Sequence, residues 1–264
     1  VLRRKVWIGV ALGLLGLIGG ALVFRAWLFK SPDPVDIDSV IDEFENRTTL
    51  PNSTVDQGLL AEGVYLYDTI GFEAVKGRIS TRNDYTEITP ITVRWTECGV
   101  DYRWDAMSTR WDQLSLCLEE RGLFEVQTTE QHEFFRVRET RTYKCDDRAL
   151  LVPSAVVKGD FWEAICRDVD AQTNRTTTVE GIESLLVGGE EVEVIHIGIN
   201  QDLVGSAVGT ARIDYWFRQS DGLIVRYEKQ ISAERDTPIG SVTYSEDVEI
   251  TLRSLNPVTA EPKA

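Results

Sequence analysis

The chain has 264 residues with 43 acidic and 28 basic side chains, a net charge of −15, which excludes nucleic-acid binding by phosphate neutralisation. The first thirty residues hold five of the basic groups and no acid, leaving 23 against 43, or −20, for the rest. A body this acidic does not lie on anionic headgroups. Its partners are neutral, cationic or apolar, although acidity also serves plain solubility.

Residues 1–5 are basic through Arg3, Arg4 and Lys5, and residues 6–24 are an uninterrupted apolar run. At a rise of about 1.5 Å per residue such a run crosses a hydrocarbon core. Trp7 and Trp27 mark its two ends. The run is longer than the apolar core of a cleaved signal peptide, and no small-residue cleavage site follows it. The expectation is a transmembrane signal anchor over residues 6–28, with residues 1–5 cytoplasmic and everything beyond it extracytoplasmic. Gly9, Gly13, Gly16 and Gly20 form two G-x-x-x-G spacings, which suit helix–helix packing; glycine is also simply common in such helices.

Residues 29–62 read as a tether. Within it Ile37, Val40, Ile41 and Phe44 share a helical face, with Ser31 or Asp33 as the expected cap. From residue 63 the pattern alternates with period two, as in Val64-Tyr65-Leu66-Tyr67 and Ile91 to Trp95. Turn signals such as Gly188-Gly189 and Asp221-Gly222 punctuate it. About ten or eleven strands are predicted over 63–257, forming one mainly β antiparallel domain, a barrel or strongly curved sheet, with short helices conceivable at 158–167 or 180–187. Residues 258–264 read as a frayed tail.

All four cysteines, Cys98, Cys117, Cys145 and Cys166, lie in this domain. In an exported protein they imply two disulfides with three conceivable connectivities. The spacings favour Cys98–Cys117 and Cys145–Cys166. A metal site is a poor reading, because there is no C-x-x-C and only two histidines, His132 and His196, neither beside a cysteine.

Catalytic and cofactor motifs are missing: there is no G-x-S-x-G, H-E-x-x-H, P-loop or G-x-G-x-x-G. His196, inside an alternating run, reads as structural. The reading is of a non-enzyme without a cofactor. An exported hydrolase working through paired carboxylates is a third, weaker option. The aromatic content is the positive signal. Trp95, Trp104, Phe134 and Trp162, with Tyr215, Phe217, Leu223 and Val225 of a late hairpin, are candidates to line an apolar cavity. A well-packed β core accounts for the same residues.

The stretches "ITVRWTECGVDYRWDAMSTRWDQLSLC", "HEFFRVRETRTYKC" and "GVYLYDTIGFEAV" resemble membrane-anchored, exported actinobacterial proteins of unknown function. "DYWFRQSDGLIVRYEKQ" with the later "LRSLNP" is similar to the back half of the LolA and LppX/LprG lipoprotein carriers, with Trp216, Gly222, Leu223 and Arg226 in matching positions. That likeness implies a single curved antiparallel sheet, a half-barrel wrapping a cavity for acyl chains. The chain departs from it in having no lipidated cysteine after a cleaved signal, so it would act while tethered. The functional expectation is a membrane-tethered module for lipid or lipoglycan acyl chains. The alternative is an accessory subunit of an envelope membrane-protein complex.

Overall fold

Tyr67, Val93, Ile197, Phe217 and Val225 recur on one face of alternating runs, and each is shut off from solvent. Burying those faces while keeping acids outside requires the sheet to curl round them. The computed structural model describes residues 30–47, 60–237 and 240–258. In chain order the strands are β1 (Gly63–Lys76), β2 (Thr81–Asp84), β3 (Ile88–Trp95), β4 (Gly99–Met107), β5 (Arg110–Glu119), β6 (Gly122–Phe134) and β7 (Val137–Pro153). They continue as β8 (Phe161–Arg167), β9 (Ala171–Val187), β10 (Glu190–Gly205), β11 (Val208–Arg218), β12 (Ile224–Thr237) and β13 (Gly240–Leu252). All thirteen belong to one antiparallel sheet in meander order, and β13 pairs back onto β1. The sheet therefore closes into a ring, the barrel alternative of the strand spacing and not the half-barrel that the carrier likeness implies.

Closure runs from Tyr67 opposite Leu252 to Lys76 opposite Thr243. Gly71 permits it: a Cβ there would stand 2.2 Å from the Asp247 carbonyl oxygen. The other edge of β1 takes β3 along its first half and the short β2 along its second. The windows 158–167 and 180–187 are strand in β8 and β9, not helix. Each borrows its hydrogen bonds from a neighbouring strand, which a local apolar pattern cannot reveal.

Helix α1 (Ile37–Asn46) lies outside the ring, with Ile41 buried and Arg94 stacked 4.3 Å over Phe44. Its first residue is Ile37 and its N-cap Asp36, which makes no side-chain capping bond, so Ser31 and Asp33 are too far upstream to serve. Asp33 instead accepts a hydrogen bond from the Ser108 amide, 3.1 Å away in the β4–β5 turn. This fixes a tether end of the ring, where the turns at 77–80, 108–109, 135–136, 168–170 and 206–207 gather. At the far end Val258 bridges to Val64. Among the described residues no helix is long and apolar enough to cross a membrane. The predicted span 6–28, with Gly9, Gly13, Gly16 and Gly20, lies outside them.

Both expected disulfides are present, and no described cysteine is free. Cys98–Cys117 links β4's approach to β5. Cys145–Cys166 joins β7 to β8 at one of the two residue pairs found between those strands among the described residues, the other being Lys144–Arg167.

Candidate functional site

The interior of the ring is layered. At the far end Tyr65, Tyr67, Tyr102, Phe217, Leu223 and Val225 form a dry core. Their hydroxyls are satisfied by backbone: Tyr67 donates to the Ile224 carbonyl at 2.6 Å and Tyr102 to the Gly222 carbonyl at 2.8 Å. Gly222, at φ +82, turns the hairpin there, while Asp221 pairs with Arg218 and accepts the Leu223 amide at 3.1 Å. A register shift at Trp216/Phe217 lets both Ile224 and Val225 face inward.

Trp104 sits at mid-height, edge-on to Tyr85 at 5.3 Å, with its indole N–H donating to Thr89 at 2.8 Å. Beside it lies a cavity of about 70 Å³. Tyr215, Tyr227 and Ile213 line one wall, and the ion pairs Glu130–Lys229 and Glu125–Arg175 another. Water-sized space of this order holds a few solvent molecules. It falls short of the roughly 300 Å³ at which small-molecule sites begin.

Above the cavity, toward the tether end, the interior becomes ionic. Arg110 is fully buried and meets Glu246 at 3.1 Å, Glu73 at 3.7 Å and Asp112. Lys229 meets Glu130 at 3.0 Å, Glu246 at 3.1 Å and Asp112 at 3.6 Å. His132 contacts Glu73 through Nδ1 at 3.1 Å, and Tyr244 donates to Glu246 at 3.1 Å. Four carboxylates thus share two permanent cations and one histidine. Burial opposes charge on Glu246, but Arg110 and Lys229 outweigh it and hold its carboxyl at about 2. Burial and Arg110 push His132 down, yet its hydrogen bonds to Glu130 and Glu73 leave it raised. Burial likewise pushes the Tyr85 and Tyr244 hydroxyls well up, so both stay protonated donors.

Each of the four carboxylates has a cationic or histidine partner in this network, while the buried Arg110 Nε has no hydrogen-bond acceptor and reaches Glu73 only at 3.7 Å. Asp112, Glu130 and His132 bring ligand atoms within 4.8 Å of one another. The Lys229 ammonium, however, already contacts both carboxylates. The grouping of Glu125 with Cys145 and Cys166 is spent, because those sulfurs are bonded to each other. His196 is on the outer face, stacked on Trp216 at 4.2 Å and held between Asp214 at 2.8 Å and Glu183 at 2.9 Å.

The wall of the ring is interrupted between β7 and β8. Past the Cys145–Cys166 bridge no further β7–β8 pair is found among the described residues. A crevice of about 940 Å³ opens there, lined by Phe124, Leu150, Pro153, Phe161, Trp162 and Ile165, with Asp146, Asp160 and Glu163 among its polar groups. The Trp162 indole N–H reaches across it to the Leu150 carbonyl. Phe161 is 68% exposed at its rim.

The residues expected to line one cavity are therefore dispersed. Trp104 and Tyr215 line the interior cavity, while Phe217, Leu223 and Val225 belong to the dry core. Trp95 is half-buried at the far end, donating to the Leu60 carbonyl at 3.0 Å. Phe134 stacks near His132 and Tyr244 at the tether end, and Trp162 spans the seam. The buried ionic residues escaped the sequence reading, although Lys229 is in phase with Tyr227 and Glu246 with Val248 and Ile250. Comparison with family models, curated proteins and solved structures finds no match to this chain.

Proposed function

We propose that this chain is a membrane-tethered, extracytoplasmic binding module without catalytic activity, and that it takes its ligand at the β7–β8 seam. The observation that carries the reading is the seam itself, a large, partly apolar opening beside two strands that share two described ladder pairs. The ring interior supports no acyl-chain site at its present volume. A carrier-like role, as the LolA and LppX/LprG likeness implies, needs the chain to lie in the seam.

Two ligand classes suit an apolar slot: a lipid acyl chain, and an extended segment of a partner in an envelope complex. The strand edges favour the second. A hydrocarbon leaves the edge N–H and C=O groups without partners, whereas an added β-strand pairs them at every second residue. The accessory-subunit reading is accordingly preferred over lipid carriage. A photo-reactive residue at Phe161 of the full chain, activated in native membranes, tests it, with Ile70 on the outer face of β1 as control. A peptide adduct at Phe161 alone supports the reading, and a lipid adduct there restores lipid carriage. Equal labelling at both positions removes the seam as the site.

A further inference from the structure

We infer that the tether end of the ring rests on the bilayer surface, with the aliphatic tips of its hairpins dipping into the headgroup region. The inference rests on the membrane-tethered reading above and adds an orientation and a contact surface. At this end Ile79, Val137, Val169, Val204 and Val208 lie in or beside successive turns and are 37%, 70%, 99%, 45% and 62% exposed. The far end and the seam also expose apolar side chains, among them Leu118 and Leu186, so the count alone decides nothing.

What separates the two ends is where the chain enters. Asp33 is pinned to the β4–β5 turn, and Lys30 and Pro32 lie against Thr81, Thr109 and Phe134 of the same end. Leu28, the last of the expected span, and Asp33 are five Cα steps apart, with four residues between them. Fully extended those five steps reach about 18 Å at most, at roughly 3.6 Å per residue. The tether end is thus held next to the membrane boundary. Five side chains projecting from four turns of one rim suit shallow insertion, which reaches about 5–10 Å into the headgroup and acyl boundary. The body's charge of −20 excludes attraction to anionic lipid as the cause, so the contact is apolar and works on neutral lipid.

The test uses the full chain in phosphatidylcholine vesicles, with a fluorophore on Val169→Cys, on Val208→Cys or, at the far end, on Leu186→Cys. The native cysteines are all paired and leave no competing thiol. Spin-labelled lipid is expected to quench the first two labels severalfold more than the third, with no dependence on salt. A label at Val137→Cys should lose that quenching when Val169 and Val208 are both changed to Asp, substitutions that such exposed positions tolerate. Equal quenching at both ends, or stronger quenching at Leu186→Cys, overturns the inference. Flotation separates the two failures. A chain that does not float with the vesicles defeats the tethered reading itself, whereas one that floats with silent tips defeats only the contact.

Discussion

Glu73 and Glu246 are direct cross-strand partners in the β1–β13 ladder that closes the ring, and both are fully buried. Like charges directly opposite each other destabilise a sheet. Closure at this point therefore depends on a cation from elsewhere. Arg110 supplies it from β5, reaching both carboxylates, and Lys229 supplies a second contact to Glu246.

Replacing Arg110 with Met should cost about 3–5 kcal/mol, the usual penalty for stranding a buried charge. Arg110→Lys should cost less, because it keeps the charge while losing the fork that spans two acids. Urea denaturation of the three proteins gives the ranking. A loss under 1 kcal/mol for Arg110→Met would show that the acids take up protons or water at no net expense.

Stability should peak in mildly acidic solution. Glu246 is held at about 2, below its unfolded value, so its contribution is present above the unfolded carboxylate range and fades as pH falls toward 2. His132 and His196 are raised above their ordinary value. For His196, burial pulls down but the bonds to Asp214 and Glu183 prevail. Their contribution is complete below about 6.5 and is lost as pH rises through the folded value. Melting temperature across pH 3–9 reads both limbs, and His196→Asn should shrink the alkaline one to the share carried by His132.

The two disulfides should differ in local effect more than in global effect. Their separations of 19 and 21 residues imply about 3 kcal/mol each from chain entropy. Yet among the described residues β7 and β8 share two residue pairs, one of them the bridge itself. Changing Cys145 and Cys166 to Ser should raise amide exchange along β8 sharply. The same change at Cys98 and Cys117 should leave β8 unaltered. Hydrogen-exchange mass spectrometry distinguishes the cases, and identical protection of β8 in both variants would contradict this.

Trp162→Phe keeps an aromatic ring in the seam but leaves the Leu150 carbonyl without its donor. A loss of about 1 kcal/mol is expected, the net worth of one hydrogen bond. It should come with faster exchange in β8 and little change in β5 or β13.

The β class, the late hairpin and the cysteine pairing were legible in the sequence because each has a local signature. Asp221-Gly222 marks a turn, Tyr215 and Phe217 alternate about it, and short loops favour sequential bridges. The strand spacing allowed a barrel or an open curved sheet and did not choose between them. Tyr67 and Leu252 carry no mark of each other, and meander order is equally consistent with an open sheet. The ionic layer was hidden for a different reason. Alternation is ordinarily read as polar-outside, so Arg110, in phase with Leu114 and Leu116, passed for surface. The seam was invisible because β7 and β8 are ordinary strands in composition, and only their short ladder among the described residues distinguishes them.

The join between first and last strands also governs when this fold can exist. Ladders from β3 to β13 link neighbours in sequence and can form as the chain emerges. The β1–β13 ladder joins residues as far apart as 67 and 252. High separation of this kind slows folding, because loop entropy is lost before contacts compensate. Until β13 arrives, β1 presents a bare edge from Tyr67 to Lys76, with Glu73 beside it and no opposing strand. A chain stopped short of residue 240 is thus left as an open sheet with two unprotected margins, prone to pair with other copies. Completion of the last strand is the step at which the polypeptide stops being adhesive.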